Sequence, residues 1–331
     1  MDKSLRIAIV GLGKMGLLHA SILNTLPRTE LAALCDKSRL IRTLFKKIFP
    51  KIKIVDDVQQ LDSLGLDVIY VTSPIPSHYF IVKSICSEKI VDNVFVEKTL
   101  GSTFDQAREL CELVQNSDGA NMVGYMKRFA VTFKKAKEML DQEIIGSLNG
   151  FKAYAYSSDF HGLDRNAGKT TPRGGVLHDL GSHVVDLASW FFGDMRVKSV
   201  SSDSAEGIGF EDQVEFLVED HDGCQGQFAV SWCMNGYRLP EFGLTISGTK
   251  GLLKVNSDVI DLQLRDEKRR WHRQDLSDNV GFLLGDPEYF REDKHFIESI
   301  LLDKKAEPSF STASKVDNII DQVKKRSSKD V

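Results

Sequence analysis

The stretch that decides the fold is residues 7–20, IAIVGLGKMGLLHA. An apolar run of strand length, Ile7 to Val10, breaks into Gly11, Gly13 and Gly16 and then into residues with helical spacing. Each glycine has its own physical use. The first permits a tight turn, the second lets the backbone approach a pyrophosphate, and the third lets helix and strand pack closely. The helix start, with Lys14 and Met15 in the turn, offers free N–H groups and a favourable dipole to phosphate. Glycine-rich turns are common, but one placed between a strand and a helix predicts dinucleotide binding.

Outward from this turn, strand-length apolar runs recur at RIAIVG (6–11), LAALCD (31–36), KIKIVD (51–56), DVIYVTS (67–73), DNVFVEK (92–98) and ANMVGY (120–125). Helical patterns lie between most of them, and the one at 102–115 opens with the capping-box spacing of Thr103 and Gln106. Strand and helix in alternation, with strands apolar throughout, predict a parallel sheet covered on both faces. Right-handed crossovers make it a doubly wound Rossmann domain over residues 1–124.

Beyond residue 124 the pattern changes. A helix near 130–144 precedes a strand at 148–158, a polar loop at 159–175 and an apolar helix at 175–193. Strand patterns follow at 197–203, 212–220, 224–232, 242–249 and 251–258. In 212–220, Val214, Phe216 and Val218 share one face opposite Glu215 and Glu219, which suits an antiparallel sheet covered on one side. Residues 125–331 are read as an α+β domain.

Composition narrows the class. The chain has 331 residues, 42% hydrophobic and 27% charged, with net charge -4, which gives no electrostatic case for nucleic acid or a membrane surface. Its five cysteines (Cys35, Cys86, Cys111, Cys224, Cys233) include no C-x-x-C pair, so reduced thiols in the cytoplasm are expected. No leader-like apolar segment and no membrane-spanning run is seen.

Asp36 ends the second strand, 20 residues after Gly16. A carboxylate there accepts hydrogen bonds from both ribose hydroxyls of NAD and repels a 2′-phosphate. Lys37 and Arg39 keep NADP open, and capping of the next helix is the plain alternative for Asp36. After the fourth strand, Ser73, Pro74, Pro76 and His78 form a loop at the carboxyl edge, where ligands collect in such sheets. His78 could equally cap the next helix. The fifth strand ends at the same edge in Glu97 and Lys98. A lysine there can exchange a proton with a substrate oxygen during hydride transfer, its pKa lowered by burial and its position set by Glu97; a surface lysine is the alternative.

In the apolar helix, Asp179, His183 and Asp186 fall at i, i+4 and i+7 and make one polar stripe. Such a stripe lines a cavity or is paired internally, because lone buried carboxylates are costly. His178 and His183 are five apart, a poor spacing for two metal ligands on one helical face, so no metal is expected. The loop before the helix bears Arg165, Lys169 and Arg173, able to grip a carboxylate or diphosphate or simply to be solvated.

With the glycine turn, EKTL (97–100) and GGVLHDLGSHVVD (174–186) in this order, the chain resembles the glucose–fructose oxidoreductase/inositol dehydrogenase (Gfo/Idh/MocA) family. The likeness includes VGYMKRF (123–129), FEDQVEFLVE (210–219), ISGTKGLLKV (246–255) and EPSFSTASKVDNII (307–320). The resemblance implies an NAD-dependent oxidoreductase acting on a secondary alcohol of a sugar, cyclitol or nucleotide sugar. It implies His183 for proton exchange, Lys98 for positioning the substrate oxygen and Asp179 for a neighbouring hydroxyl. Tyr125, Arg165 and Arg173 join the substrate contacts, and Glu97 and Lys98 border the cofactor. It also implies a dimer or tetramer through the largely antiparallel C-terminal sheet. The family's Glu-Lys-Pro has Thr99 in place of proline here. Proline holds the residue before it extended, so a less rigid Lys98 is expected. Relatives that hydrolyse glycosides without net redox, and non-catalytic NAD-binding regulators, are the alternatives. The acid/base set argues against the regulator.

Overall fold

The computed structural model describes residues 4–115, 117–159, 174–203 and 211–327. The chain divides into two compact units, Met1–Met126 with Val280–Asp317 and Lys127–Asn279 with Asn318–Val331. The sequence pattern predicts a single boundary after residue 124, whereas the chain changes unit three times.

In the first unit, six parallel strands lie in the order β3-β2-β1-β4-β5-β6. They are β1 (Leu5–Val10), β2 (Thr29–Cys35), β3 (Lys53–Val55), β4 (Val68–Val71), β5 (Asn93–Glu97) and β6 (Asn121–Gly124). Helices α1 (Lys14–Leu23), α2 (Arg39–Ile48), α3 (Ile75–Ser87) and α4 (Phe104–Val114) connect them. All of β4 is buried, and only the first residue of β5 and of β6 escapes full burial. These strands carry no polar alternation because both faces of the sheet are covered. The order reverses between β1 and β4, so their carboxyl ends open the crevice where ligands bind in such sheets. At α4, the Thr103 hydroxyl accepts from the Gln106 N–H (3.3 Å), and Gln106 Oε1 accepts from the Ser102 N–H (3.0 Å). The box expected from the sequence is therefore closed one residue early on its return arm.

The second unit holds α5 (Val131–Asp141), α6 (Ser182–Phe192) and an eight-stranded sheet. Its strands are β7 (Leu148–Tyr156), β8 (Met195–Asp203), β9 (Gln213–Asp220), β10 (Gln225–Ser231), β11 (Glu241–Gly248), β12 (Gly251–Asn256), β13 (Val259–Leu264) and β14 (Lys268–His272). The order is β14-β13-β12-β11-β7-β10-β9-β8; β7 and β10 pair in parallel and every other pair is antiparallel. Strand β9 alternates as its sequence requires, with Val214, Phe216 and Val218 buried. Phe216 faces Phe228 across the ladder, their rings stacked 4.5 Å apart. Phe192 of α6 stacks on Phe151 of β7 at 4.0 Å, which seats the helix on the sheet. Such pairs contribute roughly 0.5–1.5 kcal/mol beyond area burial.

After β14 the chain returns to the first unit as α7 (Pro287–Leu301), followed by α8 (Phe310–Ser327), which begins there. Phe296 of α7 is fully buried, its ring centroid 5.7 Å from those of Tyr70 and Phe95. Beyond α7, the Pro308 carbonyl accepts the Val123 N–H (2.9 Å), and Asn121 Oδ1 accepts the Phe310 N–H (2.8 Å). The outer edge of β6 is thereby capped by this returning segment. Among the described residues no helix is long and apolar enough to cross a membrane.

Candidate active site

The glycine turn is built as its spacing requires. Gly11 has φ +97°, and a Cβ there would lie 2.4 Å from the Ser73 nitrogen. A Cβ on Gly16 would lie 2.1 Å from the Gly11 carbonyl oxygen. Both are therefore demanded by the fold. Gly13 is different: a Cβ on it meets nothing within 4 Å, and it is exposed at the start of α1. Among the described residues no atom requires glycine there, whereas a pyrophosphate lying on the helix N-terminus does. Lys14 is exposed and Met15 half-buried beside it.

Asp36 follows β2, half-buried. Its Oδ2 accepts the Leu12 N–H (2.8 Å) and its Oδ1 the Ser38 N–H (2.7 Å), so the carboxylate is tied to the glycine turn. Each oxygen keeps a second lone pair for a ribose hydroxyl. Asp36, Asp56 and Asp57 line one cavity of about 590 Å³ with Gly11, Ser73 and Pro74. The Cys35 thiol in its wall is pushed up to about 12 by burial and by these three carboxylates. Arg42 is held by the Asp36 and Lys37 carbonyls (2.7 and 2.8 Å), while Lys37 and Arg39 are exposed. The residues present thus fit an NAD adenosine half, with an anionic rim that disfavours a 2′-phosphate. A larger cavity of about 770 Å³ lies at the amino edge of the sheet, lined by Asn93 and Asn121, away from the edge where ligands bind.

His78 lies inside the unit. Fully buried, its Nδ1 is 2.7 Å from the Thr99 carbonyl and its Nε2 2.7 Å from the Ser73 carbonyl. Burial lowers its pKa against the pull of these two carbonyls. It neither caps α3 nor opens on the cavity, and it staples the loop after β4 to the loop after β5. Ser73 also accepts the Ser77 hydroxyl at 2.7 Å.

Lys98 is half-buried between two buried neighbours. Glu97 Oε2 accepts the Lys98 backbone N–H (3.0 Å), and Glu97 Oε1 is 3.1 Å from His19 Nε2. The Thr99 hydroxyl donates to the Gly101 carbonyl (2.9 Å) while its own carbonyl meets His78. The looser backbone expected without proline is thus offset, because Thr99 is anchored at both its hydroxyl and its carbonyl. Asp317 of α8, buried, accepts the Gly101 N–H at 3.4 Å and supports the same loop. Tyr125, at the end of β6, is fully buried.

Asp179 and His183 lie in the second unit. The helix expected to carry one α-helical stripe begins instead with a π-helical turn, Leu177–Gly181, before α6. The wider turn places half-buried Asp179 on it and His183 on the α-helix proper, so they do not share a regular α-helical row. Asp186 is taken out of the stripe by Arg128, whose Nε and Nη2 each donate at 2.7 Å, both side chains buried. The His183 ring meets the Phe242 ring edge-on at 5.1 Å, and Lys127 Nζ lies 5.3 Å from the centroid of the Phe242 ring. Lys127, buried, belongs to VGYMKRF, yet nothing in its sequence pattern singles it out. Arg165, Lys169 and Arg173 lie outside the described residues.

His19 and Asp293 also escape sequence reasoning. They lie 274 positions apart and meet at 2.8 Å. The one local signal is a histidine on the buried face of α1, one turn after Gly16.

Residues 5–125 match the family described as "Oxidoreductase family, NAD-binding Rossmann fold", and residues 133–254 match "GFO/IDH/MocA C-terminal domain". The chain is 29% identical to D-glucoside 3-dehydrogenase of Escherichia coli (strain K12) over 228 residues, 65% of this chain and 64% of that protein. It is 24% identical to scyllo-inositol 2-dehydrogenase (NAD(+)) of Bacillus subtilis (strain 168), over 70% of this chain and 68% of that one. These alignments span roughly two thirds of each relative's own length. In fold it is similar to levoglucosan dehydrogenase solved with NADH and L-sorbose (TM-score 0.85, 17% identity, 99% of this chain and 97% of that one). It is likewise similar to the WlbA dehydrogenase from Bordetella pertussis with NADH and UDP-GlcNAcA (TM-score 0.86, 16% identity, 100% and 97%). The chain belongs to the Gfo/Idh/MocA family of oxidoreductases, and residues 5–125 are its NAD-binding Rossmann fold.

Proposed function

We propose that this protein is an NAD-dependent oxidoreductase that interconverts a secondary alcohol and a ketone on a sugar, cyclitol or nucleotide sugar. The observation that carries the reading is the anchored Lys98 turn, at the same sheet edge as the glycine turn and Asp36. NAD, when bound, supplies the hydride exchange. The chain's own residues handle the proton. His183 takes it from the substrate hydroxyl, or returns it, and Lys98 stabilises the oxygen as charge develops there. Asp179 orients a neighbouring hydroxyl. Arg165 and Arg173 are assigned to an anionic group on the substrate, and Tyr125 to its border.

The relatives support this substrate class, since two are named as dehydrogenases of a glucoside and an inositol and one structural neighbour holds a nucleotide sugar. NAD rather than NADP is favoured by the Asp36, Asp56 and Asp57 carboxylates around one cavity. A cytoplasmic location fits five cysteines that include no C-x-x-C pair. A homodimer or homotetramer through the eight-stranded sheet fits the half-buried Tyr154 and Tyr156 stacked on the face opposite its buried residues.

The test begins with the cofactor released on denaturation, followed by absorbance at 340 nm with a panel of sugars, cyclitols and nucleotide sugars. NADH formation with one class is the expected result. Lys98→Ala should abolish turnover with NAD affinity nearly intact, and His183→Ala should cost ~10²–10⁴-fold. Wild-type rates in either variant would sink the assigned roles. Asp36→Ala should weaken NAD more than NADP; an unchanged preference would refute its ribose contact.

A further inference from the structure

His19, one turn into α1, is fully buried, as is Asp293 of α7. The ring's Nδ1 lies 2.8 and 3.0 Å from the two Asp293 oxygens, and its Nε2 lies 3.1 Å from Glu97 Oε1. The other Glu97 oxygen accepts the Lys98 backbone N–H at 3.0 Å. A continuous line of contacts therefore runs from α7 through α1 to the backbone of the lysine at the mouth of β5.

The charge state of that line follows from its surroundings. Burial alone lowers the His19 pKa, but the carboxylates of Asp293 and Glu97 together raise it well above the usual histidine range. Burial raises the Asp293 carboxyl above the usual carboxylate range, and the adjacent His19 ring pulls it back down. Tyr70 and Tyr289 also face the ring, at 5.7 and 6.2 Å. Burial and the adjacent carboxylates keep both phenols protonated, so they add no charge. Glu288 and Glu292 of α7 are buried as well and contribute to raising the Tyr289 phenol. With both ring nitrogens protonated, His19 donates to each carboxylate. Glu97 then remains an acceptor at both oxygens, able to take the Lys98 N–H.

We propose that His19 and Asp293 are positioning residues for Lys98. Asp293 holds the His19 ring, the ring holds the Glu97 carboxylate, and the carboxylate fixes the lysine's backbone. Their effect on turnover rests on the oxidoreductase reading above; the linkage itself does not.

Three full-length variants test it: Asp293→Asn, His19→Gln and the milder Glu97→Gln, which leaves the His19–Asp293 pair intact. Nitrogen-15 NMR of the imidazole should show both His19 nitrogens protonated through pH 8 in the wild type. In Asp293→Asn the ring should lose a proton below pH 8. Hydrogen exchange at the Lys98 amide should accelerate at least tenfold in all three variants. With a substrate in hand, kcat should fall by about 10–100-fold, the usual effect of losing an outer supporting partner. NAD affinity should stay within about twofold of wild type in Asp293→Asn and His19→Gln, since the glycine turn and Asp36 are untouched. The alkaline limb of kcat/KM should move to lower pH in Asp293→Asn, because His19 without its Asp293 partner gives up its proton more readily. A purely structural role would lower melting temperature and scale the rate evenly at every pH, and that result overturns the proposal. So does a wild-type His19 that titrates near its ordinary pKa, or a Lys98 amide that exchanges equally fast in wild type and Glu97→Gln. If no substrate is turned over, the oxidoreductase reading fails, while the NMR titration and amide exchange still decide the linkage. Should Asp293→Asn not fold, amide exchange in Glu97→Gln alone decides between support and refutation.

Discussion

Gly13→Ala separates a glycine kept for a ligand from one kept for the fold. Gly13 is extended at φ −76°, ψ −160°, a conformation open to alanine, and a methyl there meets no atom of the described residues within 4 Å. The free protein should change little. Alanine gains about 0.4–1 kcal/mol from a less flexible unfolded chain, against a comparable loss because it caps a helix less well than glycine. The cofactor should respond strongly. A pyrophosphate on the first N–H groups of α1 makes charge-assisted hydrogen bonds of roughly 1.5–3 kcal/mol each. A methyl that lifts it off two of them costs about 3–6 kcal/mol, or ~10²–10⁴-fold in affinity. The assay is NADH fluorescence titration beside a cofactor-free thermal melt. Gly16→Ala is the contrast: its methyl would fall 2.1 Å from the Gly11 carbonyl, so it should destabilise the free protein by about 1–3 kcal/mol or more. If Gly13→Ala binds NADH like the wild type, the pyrophosphate does not lie on this turn. If it melts as early as Gly16→Ala, Gly13 serves the fold.

Arg128→Met should take both guanidinium donors from the buried Asp186 carboxylate and cost about 3–5 kcal/mol, lowering Tm by roughly 6–20 °C. Adding Asp186→Leu should restore most of that, and a single-variant cost under about 1 kcal/mol would contradict the pair's burial. Asp317→Asn addresses pH. Burial raises the Asp317 carboxyl well above the usual range, so its contribution is fully present below the unfolded value near ~4 and is lost as pH rises through its folded value. Asparagine still accepts the Gly101 N–H without ionising. Urea titrations should therefore find the variant close to wild type at pH 4 and more stable than it at pH 8; the opposite order would refute the assignment.

Much of the first unit is legible because its signals are local. Six apolar runs of strand length, a glycine turn between strand and helix, and a carboxylate at the end of β2 each follow from neighbouring residues alone. The helix bearing Asp179 and His183 lies where its spacing predicts, but its π-helical turn does not show, since pattern reading assumes one period throughout. Asp186 looks like a site residue because its partner Arg128 lies 58 positions away. Most opaque is α7. Glu288, Glu292 and Asp293 carry no local signal of burial, since carboxylates are rarely buried without partners, and the partner of Asp293 is on α1. Only the tertiary fold brings them together.

The returning segment that caps β6 has a consequence for biosynthesis. A nascent chain completes all six strands by Gly124, yet all of Lys127–Asn279 must be made before α7 and Pro308 arrive. Until then the outer edge of β6 is an open template for another strand, Tyr70 and Phe95 lack the Phe296 ring, and His19 lacks Asp293. The Rossmann sheet is therefore among the first parts synthesised and among the last completed. A fragment ending at residue 126 should aggregate although no strand of its sheet is missing, and a peptide of residues 280–317 supplied in trans should rescue its solubility.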